Sequence, residues 1–124
     1  MNKRKVLVTG AAGVIAGKVL QALRDCYELT LLDVRTRDRN DKPVEGVKIA
    51  DLVNRKRDAY RHHFQGVDTV VHFGFIRHSR LQSDPHFWAE FDNVQMAYNV
   101  YQTCFEEGVQ RVVVASSNHA ADYY

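Results

Sequence analysis

The sequence contains little of what several common classes of protein require. Its two cysteines, Cys26 and Cys104, stand far apart and form no Cys-x-x-Cys pair, so neither a disulfide framework nor a thiolate metal site is expected. The six histidines include no helix-spaced pair and have no cysteine partner, so no metal site is predicted. No apolar run is long enough to span a bilayer or to form a signal peptide. These absences favour a reduced, cytoplasmic location.

An excess of one sign of charge is also missing. Charged residues make up 26% of the chain, the net charge is +2, and the one tight basic run is Arg55-Lys56-Arg57. That run fits the solvated face of a helix, so neither nucleic acid nor a membrane surface is an expected partner. A length of 124 residues with 45% hydrophobic content is enough for a single domain, residues 1–124, with one core.

The clearest positive signal is a glycine turn between an apolar run and a helix. Residues 5–9 (Lys-Val-Leu-Val-Thr) predict a buried strand, which turns sharply at Gly10. Gly13 lets the backbone approach a pyrophosphate. The helix that opens at Val14 and Ile15 offers free N–H groups and the positive end of its dipole. This layout is typical of a dinucleotide-binding loop.

An acidic residue downstream supports that interpretation. Asp33 ends the second apolar run, about 20 residues beyond the glycines, where a carboxylate accepts hydrogen bonds from an adenosine ribose. Its charge would repel a 2′-phosphate, so NAD is the expected cofactor, while Arg35 leaves NADP open. The alternative is an ordinary strand-end aspartate that caps a turn.

Strands and helices alternate along the chain. This order predicts an α/β fold with a doubly wound parallel sheet (a Rossmann fold), strand order 3-2-1-4-5, and ligands at the carboxyl ends of the strands. After the first strand we predict, in order, a helix over 13–25, strands over 28–33 and 47–50, a helical segment before Gly66, a strand over 69–73, a helix from Asp84 to Gly108 and a strand over 111–115.

Apolar spacing predicts which side of each helical segment faces the core. The first helix is expected to bury Ile15, Val19, Leu23 and Cys26, and the middle segment Val53, Tyr60 and Phe64. The last helix carries an apolar row at three- and four-residue spacing, which we also expect to pack in the core. The row consists of Phe87, Phe91, Val94, Tyr98, Tyr101 and Phe105.

Residues 9–13 (Thr-Gly-Ala-Ala-Gly), followed by Ala16 in place of a third glycine, resemble a known loop. It is the T-G-x-x-G-x-x-G loop of the extended short-chain dehydrogenases, the NAD-dependent epimerase/dehydratase group. The resemblance covers essentially the whole chain but only the N-terminal part of such an enzyme. It implies that Asp51 and Leu52 contact adenine, and that the turn after strand four and a helix asparagine lie along the cofactor. The residues of that turn and helix are Phe73, Gly74, Phe75 and Asn93.

A narrower resemblance begins at the fifth strand. Residues 114–119 (Val-Ala-Ser-Ser-Asn-His), followed by Tyr123-Tyr124, resemble the A-S-S-N-H-x-x-G-Y-Y signature of uronate dehydrogenases, with Asp122 in place of the glycine. Those enzymes oxidise the anomeric carbon of a uronic acid to an aldarolactone with NAD. The resemblance implies that Ser117 hydrogen-bonds the reacting hydroxyl and that further residues hold a sugar-acid substrate. These are Asn118, His119 and Arg77, of which Arg77 replaces the family's small hydroxyl residue and suits a carboxylate.

A Tyr-x-x-x-Lys pair, which such enzymes use to remove the hydroxyl proton, is absent from the sequence. We therefore expect the chain to be part of a dehydrogenase that stops after strand five, inactive alone and prone to self-association through the unpaired strand edge. Two alternatives stay open. One is a nucleotide-sugar epimerase or dehydratase, and the other is a non-catalytic NAD(P)-binding redox sensor.

Overall fold

The computed structural model describes residues 3–77 and 83–116. Within them, five strands form one sheet in the order 3-2-1-4-5, and every neighbouring pair is parallel. The predicted doubly wound parallel sheet is confirmed. The strands are β1 (Lys5–Thr9), β2 (Glu28–Asp33), β3 (Val47–Ile49), β4 (Thr69–His72) and β5 (Arg111–Val114).

Two α-helices and two short turns connect the strands. The helix α1 (Val14–Cys26) follows β1, and α2 (Pro85–Glu106) precedes β5. Between β3 and β4, the predicted helical segment is instead a pair of 3-10 turns, Arg57–Ala59 and Arg61–Phe64. The Tyr60 hydroxyl donates a hydrogen bond to the Asn54 carbonyl oxygen, 2.8 Å away, and this bond fastens the turns to the preceding loop.

Each face of the sheet carries its own core cluster. Leu7, Leu32 and Val70 pack beneath α2 and the 3-10 turns, where Tyr60 and Phe64 are fully buried as predicted. The opposite cluster joins the other side chains of the same strands to α1. It consists of Val6, Val8, Ala11, Ala16, Leu20, Leu31 and Val71. Burial on both faces explains why these strands read as continuous apolar runs.

The predicted core side of α1 is partly wrong. Ala16 and Leu20 are its buried residues, while Ile15 is 51% exposed and Cys26 is also at the surface. The small Ala16 side chain is completely buried at the start of the helix, so the backbone there lies close to the sheet. Ile15 is directed away from the sheet, beside the glycine loop.

The predicted core side of α2 is wrong. The six residues of its apolar row are between 42% and 81% exposed, and a different stripe faces the sheet. That stripe includes Asn99, whose side-chain amide donates to the Leu52 carbonyl oxygen at 2.8 Å. Both stripes follow the helical repeat, but the buried one contains the polar Asn99 and Thr103, so apolar spacing selected the exposed row. The buried stripe is Ala89, Met96, Asn99, Val100, Thr103 and Cys104.

The edge strand β5 pairs with β4 on one side, and its three valines are more than one-third exposed. No further strand covers its other side within the described ranges. Neither described helix is both long and apolar enough to cross a membrane.

Candidate dinucleotide-binding site

The glycine loop lies against the turn that follows β4. Gly10 has a φ of +64°, and a Cβ atom at this position would lie 2.7 Å from the backbone of Phe73 and Gly74. Both the conformation and the contact exclude any larger residue at Gly10. The ends of β1 and β4 therefore meet through direct backbone contact at the carboxyl edge of the sheet.

A buried pair of polar side chains joins the same two strand ends. The Thr9 hydroxyl oxygen lies 2.6 Å from His72 Nδ1 and accepts the N–H of Gly74 at 3.0 Å. The tautomer of His72 decides which of these two atoms donates in the Thr9–His72 bond. Burial lowers the pKa of His72, which favours the neutral ring.

The first turn of α1 has N–H groups free to bind an anion. The helix cap, Gly13, has no side chain. In the first helical hydrogen bond, the Gly17 N–H donates to the Gly13 carbonyl oxygen at 3.0 Å. The N–H groups of Val14, Ile15 and Ala16 precede that bond and have no acceptor within the helix. The first turn contains no acidic residue. A phosphate at this helix start would meet three donors and the positive end of the dipole.

Asp33 connects β2 to the glycine loop. One carboxylate oxygen accepts the Ala12 N–H at 2.9 Å, and the other accepts the N–H of Val34 at 2.6 Å. The alternative role as a turn-capping aspartate is therefore realised in the structure. Each oxygen keeps a further lone pair, so the carboxylate can cap the loop and still accept a ribose hydroxyl.

The turn after β4 is held by Asn93 of α2. Its amide oxygen accepts the Ile76 N–H and its amide nitrogen donates to the Ile76 carbonyl oxygen, both at 2.8 Å. These two bonds make Asn93 a positioning residue for the turn. Within the turn, Phe73 packs against the α1 side of the core and Phe75 is 65% exposed.

The two residues predicted to contact adenine, Asp51 and Leu52, differ in burial. The Asp51 side chain is exposed, and one of its oxygens accepts the Val53 N–H at 3.1 Å. Leu52 is only 5% exposed and belongs to the cluster beneath α2. Leu52 is therefore a core residue, and of the two only the aspartate side chain is open to solvent.

The predicted substrate residues are only partly placed. Ser117, Asn118 and His119 lie outside the described residues, and Arg77 is exposed at the end of the first described range. The sequence interpretation did not foresee the Thr9–His72 pair. A signal was available, because both residues end neighbouring strands of the predicted parallel sheet.

The parallel sheet, the uncapped glycine helix start and the acidic end of β2 together define a Rossmann-type dinucleotide-binding protein. The sequence profile of the NAD dependent epimerase/dehydratase family matches residues 6–122. The chain belongs to this family. The resemblance inferred from the loop is thereby confirmed, and the family's cofactor is the predicted one, NAD.

Two enzymes and one solved structure are among the similar proteins. Uronate dehydrogenase of Pseudomonas putida is 33% identical over 124 residues, covering 97% of this chain and 43% of that enzyme. L-arabinose 1-dehydrogenase (NAD(P)(+)) of Haloferax volcanii is 30% identical over 125 residues, with the same coverage of 97% and 43%. A mutant uronate dehydrogenase of Agrobacterium tumefaciens, solved in complex with NAD, is 30% identical, with a TM-score of 0.69 over 94% of this chain and 42% of that one. The chain thus spans about two-fifths of the length of these relatives.

Proposed function

We propose that this chain forms the NAD-binding part of a sugar oxidoreductase. The observation that carries the proposal is the uncapped start of α1 beside the Asp33 carboxylate. The N–H groups of Val14, Ile15 and Ala16 bind the pyrophosphate, and Asp33 accepts the adenosine ribose hydroxyls. Asp51 contacts the adenine ring, and Gly74 and Phe75 lie along the rest of the cofactor.

The proposed substrate is a uronic acid oxidised at its anomeric carbon to an aldarolactone. When bound, NAD supplies the acceptor for the hydride that leaves this carbon. Ser117 orients the reacting hydroxyl, Asn118 and His119 hold the sugar, and Arg77 pairs with its carboxylate. Support comes from the 33% identity to uronate dehydrogenase of Pseudomonas putida and from the motif at residues 114–119.

A matched pair of glycine variants tests the NAD site. In Gly13→Val the side chain enters the space of the phosphate, and its Cβ lies 3.1 Å from the Gly10 carbonyl oxygen. In Gly17→Val the Cβ has no neighbour within 4 Å. Calorimetric titration is expected to detect NAD binding in the parent and Gly17→Val proteins but not in Gly13→Val. Circular dichroism checks that both variants fold. Undiminished NAD affinity in folded Gly13→Val protein would contradict the loop assignment.

A second candidate is an NAD(P)-binding redox sensor without catalysis, which would use the same glycine loop and Asp33. Turnover on galacturonate and glucuronate, followed as NADH formation, bears on this choice. We expect none from this 124-residue chain, because proton removal by an activated tyrosine typically contributes about 10²–10⁴-fold to the rate. Uronate dehydrogenase of Pseudomonas putida is the positive control. Turnover by this chain would show that the Tyr-x-x-x-Lys pair is dispensable and would exclude the sensor.

A further inference from the structure

A second polar site lies at the edge of the sheet opposite the glycine loop. A cavity of about 310 Å³ opens there, lined among others by Lys5, Glu28, Lys48, His62 and His63. Lys5 and Glu28 begin β1 and β2 and are register partners, whereas the glycine loop follows the last residue of β1. The length of β1 separates Lys5 from the glycine loop by roughly 13 Å. No residue of the glycine loop and neither Asp33 nor Gly74 lines the cavity, so it is distinct from the dinucleotide site.

The short 3-10 turns between β3 and β4 form one wall of this cavity. Tyr60 and Phe64 are buried in the core and anchor the second turn. His62 and His63 lie between these anchors and line the cavity, with ring centroids 4.0 Å apart. Two imidazoles therefore lie side by side in the cavity wall, His63 half-buried and His62 exposed.

Side-chain alternation along the strands places both lysines on the face beneath the turns. Leu7 and Ala50 belong to the core cluster on that face, and Lys5 and Lys48 each stand two residues earlier in the chain. Glu28 lies on the strand between them, opposite Lys5. Three neighbouring strands thus each contribute one charged side chain to the cavity. Lys5 and Glu28 lie at the amino ends of their strands, and Lys48 is in register with Leu32, four residues beyond Glu28.

Neither lysine takes part in a described ion pair, although Glu28 lies on the strand beside Lys5. In the ion pairs among residues 3–77 and 83–116, every cation is an arginine, and Glu28 takes part in none of them. The same residues include no group of three His, Cys, Asp or Glu side chains that could hold a metal ion. With neutral histidines the lining has two positive charges and one negative charge, and each protonated ring adds another positive charge. The net positive charge of the lining favours the binding of an anion.

The pKa of His63 responds to this positive charge. Burial lowers it, and His62 and Lys48 lower it further because their positive charges disfavour the protonated ring. Lys5 and Glu28 are the other charged groups that line the cavity. A bound anion would offset the repulsion and favour protonation of the His63 ring.

We propose that this cavity binds a phosphorylated small molecule through its phosphoryl group. Lys5 and Lys48 supply the charge, and His62 and His63 supply ring N–H donors. Lysine binds phosphate as a point charge, which attracts the anion towards the imidazole donors of the turn. Glu28 weakens this binding because its carboxylate repels the anion. The proposal does not depend on NAD binding.

The test is an NMR titration of the protein with sodium pyrophosphate and, separately, with ribose 5-phosphate. The ring signals of His62 and His63 report binding at the cavity independently of the glycine loop. We expect both rings to shift saturably, with tighter binding below the ordinary histidine pKa of about 6.5 than above it. A preference for pyrophosphate would identify a free diphosphate as the ligand, and a preference for ribose 5-phosphate would identify a phosphate monoester.

Charge variants decide whether the cavity itself is responsible. Lys48→Gln, or Lys5→Gln as a second variant, is expected to weaken binding at least about tenfold, and Glu28→Gln is expected to strengthen it. Lys42→Gln and Glu90→Gln make the same changes at exposed positions outside the cavity lining and are expected to have little effect. The absence of saturable shifts at both rings, or an equal loss in Lys42→Gln, would overturn the proposal.

Discussion

The Thr9 hydroxyl lies 2.6 Å from His72 Nδ1 and joins the ends of β1 and β4 beneath the glycine loop. The hydroxyl oxygen also accepts the N–H of Gly74, whose backbone contacts Gly10. One buried side chain therefore sets the spacing between the proposed pyrophosphate loop and the turn expected to lie along the cofactor.

Replacing Thr9 with valine preserves the shape of the side chain and removes both hydrogen bonds. His72 Nδ1 and the Gly74 N–H are then left without a partner, so we expect the free energy of unfolding to fall by about 1–3 kcal/mol. Urea unfolding measures this change. The control is Thr36→Val in an exposed loop, which should change stability by no more than about 0.5 kcal/mol. Equal losses in the two variants would contradict the role given to Thr9.

Stability is expected to fall as the solution becomes acidic. The pKa of His72 is lowered in the folded protein, so below the ordinary histidine value of about 6.5 the unfolded chain binds more protons than the folded chain. Unfolding is therefore favoured as the pH falls from that value towards the lowered pKa. Urea unfolding at several pH values across this range measures how steeply the free energy of unfolding changes with pH, and His72→Gln should reduce that dependence. His63, whose pKa is also lowered, should leave a residual slope. A parent protein with a flat profile would contradict this assignment.

Asp33 is expected to control both cofactor choice and loop geometry. Asp33→Ser removes the charge that would repel a 2′-phosphate and also removes the oxygen that accepts the Ala12 N–H. We expect NAD affinity to fall about tenfold or more and the preference to move towards NADP. Calorimetric titration with both cofactors measures the two effects. Adding Arg35→Gln to this variant should cancel its gain in NADP affinity. Equal binding of NAD and NADP by the parent protein would contradict this role.

The exposed apolar row of α2 predicts self-association. Its six residues follow one another at spacings of 4, 3, 4, 3 and 4, which is the repeat that lets two helices pack along a shared seam. Since a second copy presents the same row, we expect a dimer in sedimentation experiments. Tyr98→Glu, at the middle of the row, should shift the protein towards monomer. The control is Glu90→Gln, on the same helix but outside the row. A parent protein that stays monomeric at high concentration would contradict this expectation.

The parts of the fold that depend on local chemistry were predictable. The turn at Gly10 and the helix start after Gly13 depend on glycine at fixed positions, and the alternation of elements predicts the parallel sheet. The position of Asp33 at the end of β2 was also predictable, although its bond to Ala12 depends on how β2 lies beside β1 and emerges only from the structure.

Features that depend on tertiary packing were not predictable in the same way. The buried stripe of α2 contains the polar Asn99 and Thr103, whose hydrogen bonds to backbone carbonyl oxygens emerge only from the structure. The Thr9–His72 pair joins residues 63 positions apart and requires β1 to lie next to β4. The cavity lined by Lys5 and Lys48 depends on 3-10 turns where the sequence predicted a helical segment.

The central claim is that the start of α1 binds the pyrophosphate of NAD. Mapping backbone amide shifts during an NAD titration tests it most directly. The account predicts the largest saturable shifts at the N–H groups of Val14, Ile15 and Ala16, with Ala12 next because Asp33 holds it. The absence of shifts at these amides, or the largest shifts at Lys5 and His62 on the opposite edge, would contradict it.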